Sequence, residues 1–316
     1  MKLDRFSKFC WLLLAYMVAV ILWGAFVRAT GSGAGCGSHW PTCNGEVIPR
    51  LPSVETAIEF THRLSSGLLG LLMLGLAIGA FRKFPKGSPV RRGALASFFF
   101  VATEALVGAG IVKFEWVAHN DSAARVVTGA FHLANTFLLL AALSLTAWWA
   151  SGGDLFGFRN RGWLGRLMAL CLLGTALVGA GGAVTALGDT LVQNAGIRAE
   201  DSPVVAALIE ARVYHPVSAL LLGLLLGAAL WAASGANWND RTRRLGWLAA
   251  GAYSVQLFCG LVNVALKAPV WLQLVHLLLA DVFWILLVLL AASALSRPVQ
   301  AGSRREVFAE GAPEGV

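Results

Sequence analysis

Apolar and polar residues do not alternate finely along this chain; they come in long blocks. Eight blocks, near residues 9–28, 57–81, 93–112, 124–149, 163–186, 205–232, 245–266 and 270–295, are apolar almost from end to end. A helix rises about 1.5 Å per residue, so about 20 such residues cross the hydrocarbon core of a bilayer. None of the blocks shows the period-2 alternation of a membrane barrel strand. The pattern predicts an all-α integral membrane protein with eight transmembrane helices. Gly and Ala recur inside the blocks, as in "GTALVGAGGAV" (174–184), and small residues of this kind let helices approach closely.

Composition agrees. Hydrophobic residues fill 57% of the 316 positions and charged residues 13%, about half the charge of a soluble domain. The charges sort by side. Basic residues gather at the N-terminus (Lys2, Arg5, Lys8), in the 82–92 loop (Arg82, Lys83, Lys86, Arg91, Arg92) and in the 151–166 loop (Arg159, Arg161, Arg166). More follow in the 234–244 loop (Arg241, Arg243, Arg244) and the tail (Arg297, Arg304, Arg305), which brings 17 of the 25 Lys and Arg to one side. The opposite loops carry the acids Glu46, Glu55, Glu115, Asp121, Asp189, Glu200, Asp201 and Glu210. Basic loops stay cytoplasmic, so both termini are expected in the cytoplasm, as an even number of spans requires. The net charge of +8 then reports topology and attraction to anionic lipid, and no nucleic-acid partner is expected. The first block resembles a signal sequence in place but is long enough to span and lacks a small-x-small cleavage site, so it is read as the first span. Without an Arg- and Ser-rich transit segment before it, the expected location is the plasma membrane of a bacterium or archaeon. The polar tail, 301–316, is expected to be disordered.

The blocks repeat. "LWGAFVRATGSGAG" (22–35) is echoed by "LVGAGGAVTALGDT" (177–190), and "IEFTHRLSSGLLGLL" (58–72) by "IEARVYHPVSALLLGLL" (209–225). "EALVGAGIVKFEW" (104–116) is echoed by "QLFCGLVNVALKAP" (256–269). The chain reads as two tandem, pseudo-symmetric four-helix bundles, 1–150 and 151–300. Each has an even number of spans, so they share one topology about an axis along the membrane normal.

Four of the six histidines, His62, His132, His215 and His276, fall inside spans two, four, six and eight, each within the first turns from the acidic side. One intramembrane histidine is often just a hydrogen-bonded interior group; four at equivalent depths of a duplicated bundle are not. Imidazole is a strong axial ligand to haem iron, and bundle sites are built from facing helices. The natural pairs are His62 with His132 and His215 with His276. Zinc normally takes three or four ligands at one point, which favours haem. Three residues before each histidine stand Glu59, Gly129, Arg212 and Gln273, so a carboxylate in one half faces a guanidinium in the other. A carboxylate at a haem edge can act as a base; an arginine suits a propionate. The bland reading of Glu59 is an acid at a helix N-terminus, favoured by the dipole. Glu104 and Asp281 lie mid-span without an assigned role.

The first loop on the acidic side, "GCGSHWPTCNG" (35–45), carries Cys36 and Cys43 with six residues between them. In an oxidising compartment they would form a disulfide or redox pair; a zinc site with His39 would lack a fourth ligand. Cys10, Cys171 and Cys259 lie in spans and read as packing residues.

These residues together resemble haem A synthases. The resemblance rests on "GAFVRATGSGAGCGSHWPTCNG" (24–45), "EFTHRLSSGLLG" (59–70), "TGAFHLANT" (128–136), "VYHPVSA" (213–219) and "LVHLLLAD" (274–281), and covers nearly the whole chain. It implies an oxidoreductase that converts a methyl group of haem O to the formyl group of haem A for terminal oxidases, by hydroxylation and loss of water. It implies haem O as substrate between His62 and His132, a haem b cofactor between His215 and His276, Glu59 as the catalytic acid residue and Cys36/Cys43 as the redox pair. Arg63 and Arg212 would be propionate contacts. Haem O synthase and cytochrome oxidase assembly would be partners in the membrane lipid, and a homo-oligomer stays open. Two other readings share the histidines: a di-haem b electron-transfer protein and a haem transporter.

Overall fold

The structure, a computed structural model, describes residues 3–50, 53–158, 162–236 and 238–296. Lys2, Arg159, Arg161 and the whole basic and polar tail from Arg297 onward lie outside the described residues. The described residues form helices α1 (Arg5–Ala29), α2 (Val54–Lys83), α3 (Pro89–Lys113), α4 (Ala123–Ala150), α5 (Gly162–Gln193), α6 (Pro203–Ala211), α7 (Tyr214–Ala236), α8 (Asp240–Ala265) and α9 (Val270–Ala294). Eight spans result, with α6 and α7 sharing one.

Local chemistry sets the starts. Asp4, Ser53, Ser122, Ser202 and Asn239 each accept from the backbone N–H three residues on, which satisfies a donor that no helical carbonyl can reach. Asp4 also meets Lys83 at the end of α2; that ion pair and the Ser7 amide hold the Asp4 carboxyl down to about 2. The tie is complete above the ordinary carboxylate range and is lost as the pH falls through that depressed value.

Two departures from the sequence pattern matter. The sixth block is not one helix: it breaks at Arg212 and Val213, one turn before Pro216. Proline has no N–H and its ring crowds the carbonyl four residues back, which here is that of Arg212. The fifth block runs past 186 to Gln193, so Asp189 sits on a helix rather than in a loop. The extension is held by Leu187 and Leu191 packing on Val205 and Leu208 of α6.

In the first half α1 packs on α2, α2 on α3, α3 on α4, and α4 returns to α1; in the second half α5, α7, α8 and α9 close a matching ring. The first core contains Cys10, Leu13, Met17, Met73, Leu76, Leu140 and Leu143, and the second Met168, Cys171, Leu222, Leu226, Tyr253, Leu287 and Leu290. α9 joins them. Its Trp284 stacks on Phe137 with ring centroids 4.9 Å apart and donates from Nε1 to the Phe137 carbonyl at 2.8 Å. Outward, Leu12, Leu71, Leu224 and Trp231 are 68–78% exposed, a surface suited to lipid and not to water.

The seam yields a stability prediction. A Cβ on Gly179 would lie 2.4 Å from the ring of Phe137, whereas one on Gly67 would meet nothing within 4 Å. Gly179→Ala should cost about 1–3 kcal/mol by overpacking, and Gly67→Ala should be neutral or slightly stabilising. Thermal unfolding of both variants in the same detergent checks the contrast.

Candidate functional site

The site begins with a loop pressed onto a helix. After α1 the chain makes a short turn at Ser32–Ala34 and runs Gly35 against the start of α2. A Cβ on Gly35 would stand 2.5 Å from the backbone carbonyl of Glu55, so only glycine fits. This approach carries the Cys36 amide to Glu59, where it donates to Oε2 at 2.8 Å. Cys36 and Cys43 form a disulfide, and both are buried. Arg63, one turn beyond Glu59, closes the assembly. Its Nε donates to Glu59 Oε1 at 3.1 Å, its Nη2 pairs with the same oxygen, and its Nη1 donates to the carbonyls of His39 and of Thr42, the latter at 2.8 Å. Glu59 is only 3% exposed. It is thus a buried carboxylate with both oxygens engaged, not a capping acid at a helix start.

The histidines follow. His62 lies against α1, where a Cβ on Gly24 would be 2.8 Å from its Cε1. His215 of α7 lies against Gly182 of α5 at 2.9 Å by the same measure, and His276 of α9 against Gly260 of α8 at 3.0 Å. Three imidazoles therefore rest on bare helix backbone. The register differs from the echo of 22–35 in 177–190, which aligns Gly24 with Gly179. The rings align it with Gly182, three residues on, because Gly24 and Gly182 are the positions that lie against the histidines. His132 of α4 has another neighbour: its Nδ1 is 3.2 Å from Glu104 Oε1 of α3.

The ring nitrogens show what the site can take. His215 Nδ1 lies 3.1 Å from the Val178 carbonyl, so Nδ1 carries the proton and Nε2 is left as a donor to a metal. Nδ1 of His62 and of His276 are buried without a hydrogen-bond partner, and that of His132 has the Glu104 carboxylate 3.2 Å away. The rings of His215 and His276 are 6.4 Å apart between centroids, which suits two imidazoles on opposite sides of one metal at bonds of about 2 Å. Among the described residues no group of three or more His, Cys, Asp and Glu converges. Paired, part-orphaned imidazoles fit a planar iron macrocycle.

Arg63 and Arg212, read from sequence as propionate contacts, have protein partners here. Arg63 is held by Glu59, and Arg212, at the break between α6 and α7, pairs with Asp189 at 2.6 Å. Nearby, Arg28 of α1 donates to the Ala186 carbonyl at 2.8 Å, Thr190 at 2.7 Å and Gln273 at 3.2 Å. Sequence reasoning passed over Arg28, Gln256 and the three glycines. The repeat contained the signal for Gln256, since it already aligned that residue with Glu104.

Known proteins agree on the class. The model of COX15-CtaA, described as cytochrome oxidase assembly protein, matches residues 7–288. The chain belongs to this family. A protein named "Heme A synthase" from Halalkalibacterium halodurans is 34% identical over 220 residues, 68% of this chain and 71% of that protein. One of the same name from Exiguobacterium sibiricum is 40% identical over 114 residues, 36% of this chain and 37% of that protein. A Thermus thermophilus protein named "Protoheme IX farnesyltransferase" is 50% identical over 312 residues, 98% of this chain but 51% of that protein. The chain thus spans about half the length of the Thermus relatives it matches.

The loop clamp can be tested alone. Arg63→Ala leaves the Glu59 carboxylate buried and unpaired, a change that costs about 3–5 kcal/mol in a rigid interior. Here the loop can open instead. Amide exchange over residues 36–45 should accelerate strongly while exchange in α1 and α4 stays at the wild-type rate.

Proposed function

We propose that the chain is a haem A synthase: a membrane oxidoreductase that takes haem O and converts one ring methyl to the formyl group of haem A for terminal oxidase assembly. The observation that carries this reading is the inequality of two otherwise matched histidine pairs. His62 follows the buried, doubly held Glu59 by one helical turn, under the disulfide loop; among the described residues His215 and His276 have no such carboxylate-loop assembly, and Arg212 is paired to Asp189. Residues 1–150 are assigned the substrate, residues 151–300 a resident haem b, and 301–316 a cytoplasmic tail, with both termini cytoplasmic in a bacterial or archaeal plasma membrane.

Bound haem b supplies one-electron redox chemistry. The protein's residues do the rest. His215, its Nδ1 proton held by the Val178 carbonyl and its Nε2 free, would hold the cofactor together with His276. His62 and His132 hold the substrate, with His62 seated on Gly24. Glu59, three residues before His62 and so on the same face, is the catalytic carboxylate that takes or holds a proton at the reacting methyl. Its fixed position, set by the Cys36 amide and Arg63, gives the preorganisation that such a group needs. The same contacts make it a staple for the loop. A protohaem farnesyltransferase makes a farnesylated haem, the class of substrate proposed here, so the name of the Thermus relatives fits a neighbouring step.

Full chain in membranes supplied with haem O, followed by haem extraction and chromatography, tests the reading. Formyl haem is expected. An electron-transfer protein or a transporter would yield none, and a prenyltransferase would instead farnesylate protohaem given farnesyl diphosphate. Within that assay Glu59→Gln keeps an oxygen for the Cys36 amide and both histidines. Haem binding should persist while haem A formation falls about 10²–10⁴-fold, as for a lost acid–base group. Wild-type conversion would leave Glu59 a staple only.

A further inference from the structure

Glu104 and Gln256 hold equivalent places in the two halves. The echo of 104–116 in 256–269 aligns them, and each meets the histidine of the following helix: Glu104 Oε1 is 3.2 Å from His132 Nδ1, and Gln256 Nε2 is 3.2 Å from His276 Nε2. Their supports differ too. Glu104 is gripped from α4 by Asn135 Nδ2 and Thr136 Oγ1, and Asn135 is itself fixed by accepting from Thr103 at 2.8 Å and donating to the Phe100 carbonyl at 3.0 Å. The matching positions after His276 are Leu279 and Ala280, which offer no polar group. Gln256 accordingly has a buried Oε1 with no partner. The first half thus builds a rigid, hydrogen-bonded carboxylate beside its histidine; the second has a neutral, half-satisfied amide.

Resting on the haem reading above, we propose that Glu104 and Gln256 are positioning residues that set the two haem irons at different reduction potentials. Iron bound at Nε2 leaves the proton of His132 on Nδ1, the atom that faces Glu104. A carboxylate next to that N–H raises the electron-donating power of the imidazole. A stronger axial donor and a nearby negative charge both stabilise the ferric over the ferrous state. Beside His276 the amide brings no net charge, so its iron stays the easier to reduce. Electrons therefore run downhill from the first-half haem to the second, the direction in which a substrate losing electrons must pass them.

The test uses full-length protein loaded with iron protoporphyrin and titrated potentiometrically, the haems being followed by their absorption. Loss of one spectrum in His132→Ala and of the other in His276→Ala assigns them. Glu104→Gln, which makes the first half like the second, should raise the ferrous-to-ferric ratio of the His132-dependent haem tenfold or more at fixed potential, about 59 mV for one electron. Glu104→Asp should recover part of the shift. Gln256→Glu exchanges the amide, with its contact to His276 Nε2, for a carboxylate, so it should shift the His276-dependent haem the opposite way. Haem retained in both sites with neither swap moving its own haem overturns the proposal, as does a Glu104→Gln shift shared equally by both haems. If neither histidine variant loses haem, the haem reading itself is wrong and the proposal falls with it.

Discussion

An imidazole inside a bilayer must be held by protein, because lipid offers no partner for its nitrogens. Here the holding surface is helix backbone stripped of side chains. His62 on Gly24, His215 on Gly182 and His276 on Gly260 all sit where a single methyl group would displace the ring. The contact explains why glycine recurs where leucine would pack better. It fixes the distance between neighbouring helices, and hence the separation across which His215 and His276 face each other. It also leaves ring nitrogens unpaired in a buried space, a costly arrangement unless something binds them. A site that is unsatisfied by itself and rigidly framed is the mark of one built for a ligand.

The duplicated bundle then differs between its halves at few positions around the histidines. Equivalent framework positions hold histidine and glycine in both. The differences cluster at the next layer: Glu59 against Arg212, Glu104 against Gln256, Asn135 and Thr136 against Leu279 and Ala280, and a disulfide loop on one side only. Glu104, Asn135, Thr136 and the loop add charge or polarity to the first half, while Glu59 against Arg212 exchanges one sign of charge for the other. The seam at Phe137 and Trp284 packs the halves into one body, and Arg28 reaches across it to Thr190 and Gln273.

Most of the fold was legible because hydrocarbon imposes a coarse rule. Twenty apolar residues in a row have few other uses, so eight spans could be read directly. Their ends could not, since Asp189 joins α5 through packing against α6, a contact no local pattern reveals. The break before His215 was foreshadowed by Pro216. The pairing of His62 with His132 and of His215 with His276 rests on spacing and repetition, and the structure brings the rings of the second pair to 6.4 Å between centroids. The partners of the neighbouring residues were not legible: Arg63 reads as a propionate contact until the Gly35 approach brings the loop carbonyls to it. The match of Gly24 to Gly182, not Gly179, needed the third dimension, because a glycine-rich helix aligns with itself in several registers.

Haem occupancy of two variants bears most directly on the claim that the histidines form two separate sites. Full-length protein is purified, supplied with iron protoporphyrin and scored for low-spin haem per chain by its reduced absorption. With separate sites, His215→Ala removes the haem of the second half and leaves that bound through His62 and His132. His62→Ala does the converse. Loss of the same haem in both variants would contradict the two-site proposal and the division of labour built on it.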